Sequence, residues 1–464
     1  MKRKHWRSLY CQQSYRLKQL TSLLCSTFLI VTAAHASPWM EADDAYLRSD
    51  LQVLADAGLI TTPINTYPIR WSRIDGELQK VDSSQLTQTL RQSYDHVSYA
   101  LESALMDRGN RRFKAAYARS PRNDGSFAAP VTDKWQGQTS YELTSSSYAF
   151  RAAAGYQRSL DKWGNSNNDY SLDDSYIAGN LGNLSVSFGA LQRWWGPSWI
   201  YNLAWGHTSR AIPGIDVAYD GYQWPLIGSL HVESFIGNTK TPNHNRKVWS
   251  SRLEFSPASW LNIGLGYHKW FDKASIGGYL TGIYSANDSK QEQYHGDIRL
   301  SLPQINIGQH TLTQSVYGQA ATLIDDHSLG AYVVGWQGQV NVGQQYLRTI
   351  VEVKQLSNDA KGQWQHFMAN RSQMPGLNYW SAMNNSDMGE SQAIKLLWVT
   401  PGDWEWMIQG QRYDDLTNDS HNRGVASISF PLAFSRVTFG SDYDPDAVSS
   451  HDKWNYWGSL DFRF

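Results

Sequence analysis

Tyr456-Trp457-Gly458-Ser459-Leu460-Asp461-Phe462-Arg463-Phe464 is the stretch on which the fold turns. It alternates in strand period. Tyr456, Leu460, Phe462 and Phe464 fall on one face, and Ser459, Asp461 and Arg463 on the other. A half-buried strand in a soluble protein has this pattern. So does a transmembrane strand, with its apolar face toward lipid and its polar face toward a lumen. The rest of the chain decides between the two.

The start of the chain favours the membrane. Lys2, Arg3, Lys4, Arg7, Arg16 and Lys18 precede a short apolar core, Leu20 to Val31, and Ala34-His35-Ala36 is a small-x-small cleavage site. Residues 1–36 are therefore expected to be a secretory signal cut after Ala36, because the apolar run is far below the roughly 20 residues of a spanning helix. Cys25 follows Leu24 rather than a small residue, which disfavours a lipoprotein signal. Both cysteines leave with the signal, and neither a disulfide framework nor a thiol nucleophile is expected. The remaining 428 residues carry 35 Lys+Arg against 42 Asp+Glu, a net −7, which argues against a nucleic-acid partner. A terminal phenylalanine, here Phe464, resembles the closing aromatic of bacterial outer-membrane proteins.

Mean hydropathy is −0.51, 18% of residues are charged, and no later stretch approaches 18 apolar residues, so a helical membrane protein is excluded. A barrel reconciles low hydropathy with a membrane, since alternate residues face the lumen while every backbone group stays paired. Residues 37–110 read as a periplasmic helical bundle. Asp44 to Gly58 places Leu47, Leu51, Leu54 and Ala55 on one stripe, with Gly58 as the cap. Ser72 to Leu78 and Ser83 to Met106 supply two more helices. From residue 111 to 464 the period is two. Candidate strands are 113–119, 137–145, 148–157, 173–180, 184–192, 198–206, 227–236, 247–256, 260–269, 293–302, 310–320, 329–340, 344–354, 364–369, 391–400, 404–413, 422–431, 434–443 and 454–464. These are 19 segments, with 113–119 and 364–369 the weakest, and single-chain bacterial barrels favour even numbers; 18 strands are expected. Short turns at 180–183, 256–259, 341–343, 401–403 and 431–433 alternate with long polar loops at 158–172, 207–226, 237–246, 270–292, 355–390, 414–421 and 444–453. That asymmetry marks an up-and-down membrane barrel, here in the outer membrane of a Gram-negative bacterium.

Leu191-Gln192-Arg193-Trp194-Trp195-Gly196-Pro197-Ser198-Trp199-Ile200-Tyr201 is the most distinctive segment. Its rings are either an interfacial tryptophan girdle around a turn or a face that stacks on sugar rings, with the Arg193 guanidinium placed for uronic carboxylates. Candidate polysaccharide contacts are thus Arg193, Trp194, Trp195, Trp199 and Tyr201. Trp163, Trp364, Arg371 and Trp380 join them from loops that mix flat rings with cations; solvation alone also explains polar outer loops. No metal or other cofactor is expected. Asp442-x-Asp444-x-Asp446 starts like a calcium loop but carries Pro445 and no closing Glu. Asp325-Asp326-His327 reads as a solvated turn, and His207, Ser209 and Asp216 lack a nucleophile elbow.

The early helix Tyr46 to Gly58, then Trp71-Ser72-Arg73-Ile74, then Trp194-Trp195-Gly196-Pro197 and the terminal Phe464 resemble the Wzi family of capsule-assembly outer-membrane proteins. The resemblance runs from about residue 38 to 464. It implies a non-enzymatic surface lectin that binds and organises capsular or other extracellular polysaccharide, built as an 18-stranded barrel with a helical bundle and an obstructed pore. Implied partners are the polysaccharide, outer-membrane lipid and polysaccharide export machinery. The rival is a sugar-selective or general diffusion porin, whose lumen would use the same tryptophans as a slide.

Overall fold

The computed structural model describes residues 39–464 apart from 106–108, 120–125, 129–132, 146–147, 161–165, 206–210, 240–245, 272–290, 309, 324–325, 358, 360–372, 375–376, 379–389, 415–418 and 446–452. The signal, the 364–369 segment, His207 and Ser209 lie outside the described residues.

Three helices come first: α1 (Ala45–Asp56), α2 (Trp71–Leu78) and α3 (Gln88–Ala104). The Asp44 side chain caps α1 by accepting from the Tyr46 and Leu47 N–H groups, and Gly58 beyond its end has φ +73°. The strands follow: β1 (Asn110–Ala118), β2 (Trp135–Thr144), β3 (Tyr148–Leu160), β4 (Ser166–Ser171), β5 (Tyr176–Leu181), β6 (Leu184–Gly189), β7 (Gly214–Trp224), β8 (Gly228–Thr239), β9 (Arg246–Ala258) and β10 (Leu261–Phe271). Next are β11 (Gln291–Ile307), β12 (His310–Thr322), β13 (Leu329–Val342), β14 (Gln345–Leu356), β15 (Ser391–Thr400), β16 (Trp404–Asp414), β17 (Ser420–Leu432), β18 (Ser435–Tyr443) and β19 (Trp454–Arg463). Neighbours pair antiparallel, and β19 closes onto β1 from Trp457 opposite Ala118 to Arg463 opposite Arg112. β4 and β5 both pair with β3, at its two ends, and so form one interrupted stave. The closed barrel has 18 staves. At the interruption the Ser175 hydroxyl bonds both the N–H and the C=O of Ala153, standing in for the missing ladder contacts.

The final strand keeps its expected alternation. Tyr456 and Leu460 face outward, and Asp461 faces inward to the Arg112 guanidinium at 2.9 Å. The outward face elsewhere is apolar, with Leu265, Val334, Ile394, Ile408 and Phe439 all exposed. Three strand assignments change, the first being residues 166–171, expected within the 158–172 loop, which are β4. Residues 214–224, expected within a loop, are β7: its inward Asp216 and Asp220 are paired with arginines, and this disguised the outward Ile215 and Val217. Of the segment 198–206, expected as a strand, the described residues 198–205 leave the wall and run through the lumen.

The helices are joined to that interior. Sequence periodicity predicts one buried stripe on α1, yet ten of its 12 residues are buried, Arg48, Ser49, Asp50 and Gln52 among them. Its polar side meets inward-facing strand residues: the Ser49 hydroxyl donates to Gln339 (2.9 Å) and Arg348 donates to the Ser49 carbonyl (2.9 Å). The α1–α2 connection continues inward, where Asn65 N–H donates to Glu254 (3.0 Å). The core consequently sits inside the barrel, joining Leu51, Leu54, Ile60 and Ile74 to Trp194, Trp199 and the inward Val333, Ile350 and Leu397.

Candidate functional site: the closed lumen

Gly189 is the last wall residue of β6, and the chain then turns into the lumen. Trp194 and Trp195 pair antiparallel with Tyr67 and Thr66, so a segment from the long-loop end of the barrel is hydrogen-bonded to one from the N-terminal helices. Gly196 donates to the Asn65 carbonyl at 2.8 Å. Its φ is +129°, a conformation side chains rarely adopt, and a Cβ there would meet Gln319 Nε2 at 2.7 Å. The backbone conformation is what calls for glycine at 196, and a side chain there would also push on the Gln319 amide.

Three wall side chains hold the segment that follows. The Glu352 carboxylate accepts the N–H groups of Trp199, Ile200 (3.0 Å) and Tyr201 (2.9 Å), and the Tyr317 hydroxyl at 2.7 Å. Gln319 accepts from the Ser198 hydroxyl (3.1 Å) and donates to the Trp195 carbonyl (3.2 Å). Gln337 accepts from Trp199 Nε1 at 2.6 Å. Those bonds are why the period-two run from Ser198 cannot join the wall: its backbone donors are already committed to a carboxylate.

From the helical side, Arg48 donates to the Gly196 and Pro197 carbonyls (3.4 and 3.0 Å). Its guanidinium lies 4.2 Å from the Phe127 ring centre and 4.3 Å from that of Trp199. Such desolvated cation–ring contacts contribute up to about 2 kcal/mol. Arg193 is spent on the wall, with Asp216 at 2.7 Å, Glu233 at 3.1 Å and the Phe235 ring at 3.9 Å. Trp195 packs on Trp205 and stacks on His268.

The structure therefore gathers five of the sequence-chosen residues, Arg193, Trp194, Trp195, Trp199 and Tyr201, but inside the core rather than on a face open to sugar or at the lipid boundary. Trp194, Trp195 and Trp199 are each 0% exposed. Trp163, Trp364, Arg371 and Trp380 lie outside the described residues. Sequence reasoning missed Glu352, Gln319, Gln337, Arg48 and Arg348. The first three are single polar residues at inward strand positions, a placement many lumen residues share. The only local signal was the polar side of α1, which reads equally as a solvated face.

Ion pairs lock the plug to the opposite wall. Arg70 and Arg73 pair with Asp220, the latter at 3.1 Å, and His231 bonds the same carboxylate at 2.7 Å. Arg252 pairs with Asp297 at 2.8 Å, and Arg299 with Asp56. Buried pairs add little net stability but tolerate few alternative arrangements, so here they fix the register of plug against wall. A cavity of about 10 Å³ lies among Arg70, Arg73, Asp216, His231 and Glu233, room for a single water. Among the described residues no His, Cys, Asp or Glu cluster suits a metal ion. Asp442, from the calcium-like triplet, is turned inward onto Arg423 at 2.6 Å. Asp326 accepts the Ser328 N–H in a turn.

Residues 105–298 match the family model described as capsule assembly protein Wzi. An uncharacterized 55.8 kDa protein in the cps region of Klebsiella pneumoniae is 25% identical over 239 residues, which is 48% of this chain and 44% of that relative's length. The chain also superposes on Wzi of Escherichia coli, described as an outer membrane protein involved in group 1 capsule assembly and a carbohydrate-binding β-barrel. That likeness has a TM-score of 0.73 at 15% identity, over 93% of this chain and 100% of the other.

Proposed function

We propose that the chain is a member of the Wzi family of capsule assembly proteins, which its match over residues 105–298 and its fold support, and that it is a closed outer-membrane barrel that holds polysaccharide at the cell surface. The observation that carries this reading is the hydrogen-bonded junction of Tyr67 with Trp194 inside the barrel. A diffusion channel needs a continuous water path. Here the middle of the lumen is packed with rings and ion pairs, and the long-loop end is what remains for ligand contact.

In this reading the staves meet the bilayer through their apolar outward face, with the short turns and α3 on the periplasmic side and the long loops outside. Wzi of Escherichia coli is described as carbohydrate-binding, and the same class of ligand is proposed for this chain. Trp163, Trp364, Arg371 and Trp380 are the proposed contacts, as flat rings and a cation in the outer loops. Arg193, Trp194, Trp195, Trp199 and Tyr201 are proposed to act indirectly, by keeping the lumen packed. No covalent chemistry is needed, since weak contacts to a repeating polymer add by avidity.

The test separates cell-attached from shed polymer in a strain lacking the gene. The proposal expects total polymer to hold while the attached fraction falls, with restoration by the intact gene. An unaltered attached fraction would sink it.

A further inference from the structure

One ring inside the lumen arrives from the long-loop end. Phe127 lies in the connection between β1 and β2, residues 119–134, and β2 is joined to β3 at the other end by residues 145–147 alone. The Phe127 ring is 0% exposed, and its N–H donates to the Trp199 carbonyl at 2.8 Å. Ala128 follows with φ +54°, a left-handed conformation that a Cβ disfavours. An outer connection thus reaches the plug and holds its tip there under local strain.

The ring sits in a cage of other rings. Tyr67, Trp194 and Trp199 surround it with centres at 5.0, 5.4 and 6.0 Å, their planes 64° to 85° from its own. The Arg48 guanidinium completes the cage at 4.2 Å from the ring centre. Two polar atoms of the cage are unmatched by this occupant. Arg48 Nη1 and the Tyr67 hydroxyl are buried, and among the described residues neither has a hydrogen-bond partner. Buried polar groups are rarely left so, because each loses its hydration without replacement.

Arg48 also stands apart from the other arginines of the lumen. Arg70, Arg73, Arg193, Arg252 and Arg299 each pair with a carboxylate. Arg348 pairs with none, but its Nε, Nη1 and Nη2 all donate, to Gln339, Gln337 and the Ser49 carbonyl. Among the described residues Arg48 forms no ion pair, and its Nη2 donates only to the Gly196 and Pro197 carbonyls. Glu352 lies within electrostatic reach, yet its oxygens are committed to the N–H groups of Trp199, Ile200 and Tyr201 and to the Tyr317 hydroxyl. A buried cation without a counter-ion is costly. A phenyl ring meets part of its charge and none of its hydrogen-bonding capacity.

We propose that Phe127 is the internal occupant of a sugar subsite, and that the cage of Arg48, Tyr67, Trp194 and Trp199 takes one carboxylate-bearing sugar of the polymer when the β1–β2 connection withdraws. The C–H faces of the sugar replace the phenyl ring against the aromatic side chains, and its carboxylate accepts from Arg48 Nη1 and the Tyr67 hydroxyl. The exchange leaves the plug in place, because Asn65 stays on Glu254 and Arg73 on Asp220. With Phe127 inserted, Trp194 and Trp199 only pack the lumen; the exchange makes them contacts. This deepens the polysaccharide-holding reading, on which it rests, by naming the class of sugar selected.

The probe is methyl β-D-glucuronide, with methyl β-D-glucoside as its uncharged counterpart, titrated calorimetrically onto the folded protein in detergent. Deleting residues 126–128 empties the cage and should tighten glucuronide binding at least about tenfold over the unaltered protein. Phe127→Ala should shift it in the same direction by less, and carries the test if the deletion does not fold. Arg48→Gln added to either variant should abolish both the gain and the preference for glucuronide over glucoside. Folded variants that bind glucuronide no better than the unaltered protein overturn the proposal. So does equal binding of the two sugars, which would leave ring stacking with no part for Arg48. In the otherwise unaltered chain, Ser126→Cys, at a position 0% exposed, should react faster with a maleimide when polyglucuronate is added and not when dextran is; equal rates mean that polymer does not withdraw the tip, and the exchange is wrong. Should cell-attached polymer prove independent of the gene while the Arg48-dependent gain persists, the capsule role fails and the subsite stands. The reverse pattern removes the subsite and leaves the role.

Discussion

The protein uses tryptophan in two opposite ways. Trp194, Trp195 and Trp199 are sealed inside the lumen, whereas Trp135, Trp398, Trp404 and Trp454 stand 41% to 49% exposed on the outer wall. The inner rings are held by directed bonds: Trp199 alone has its backbone N–H on Glu352 and its indole N–H on Gln337. The outer rings are placed by strand register. The difference teaches that inward-facing in a barrel does not mean wet. Once helix and loop segments fill the lumen, its wall becomes the shell of a core, and inward polar residues become its fasteners.

Substitutions can sharpen that contrast. The largest effect is expected at Trp199→Ala, which removes a fully buried ring between Arg48 and Gln337 and should cost about 3–5 kcal/mol. Trp398→Ala on the outer wall should cost about 1 kcal/mol or less. Urea titration of the folded protein in detergent compares the two, and equal costs would erase the distinction. Glu352→Ala comes next. It removes the acceptor of three buried N–H groups, should cost about 1–3 kcal/mol for each one that water entering the vacated space does not satisfy, and should open residues 190–205 to limited proteolysis. Glu352→Gln, which keeps an acceptor, should fall between it and the unaltered protein. No added cleavage would mean that the carboxylate does not hold the segment.

The smallest effect lies at the helices. His96 Nδ1 on α3 meets the Asp50 carboxylate of α1 at 2.6 Å. Burial works against the charged imidazole, but the hydrogen bond and the charge of Asp50 outweigh it and push His96 up to about 9 from 6.5. A raised value means stabilisation that is complete below 6.5 and is lost as pH climbs through 9. The ring is 40% exposed, so solvent screening keeps the contribution small. Hydrogen exchange of α3 amides, corrected for intrinsic rates, should be slower at pH 6 than at pH 10. His96→Gln should flatten that dependence; an unchanged profile would remove His96 from the contact.

Much of the barrel was legible in the chain because period two survives wherever one face meets lipid and the other does not. The final strand, the short glycine turns at Gly182 and Gly343 with φ near +61°, and α1 with its Gly58 cap were all readable locally. What failed was the meaning of polar and aromatic residues whose partners lie far away in sequence. β7 was hidden because Asp216 and Asp220 look solvated until Arg193, Arg70 and Arg73 are seen beside them. Ser198 to Trp205 looked like a strand because nothing nearby announces Glu352, roughly 150 residues on. The tryptophan segment was correctly singled out as unusual, but composition alone cannot separate a ring that stacks on sugar from one that stacks on Arg48.

The most direct test of the closed-lumen account is single-channel recording of the intact protein in planar bilayers. With Arg48, Gln319 and Glu352 clamping residues 194–201 across the lumen, the intact chain should insert without steady current. Large, steady conductance from the unaltered protein would contradict the account and restore the diffusion channel as the better reading.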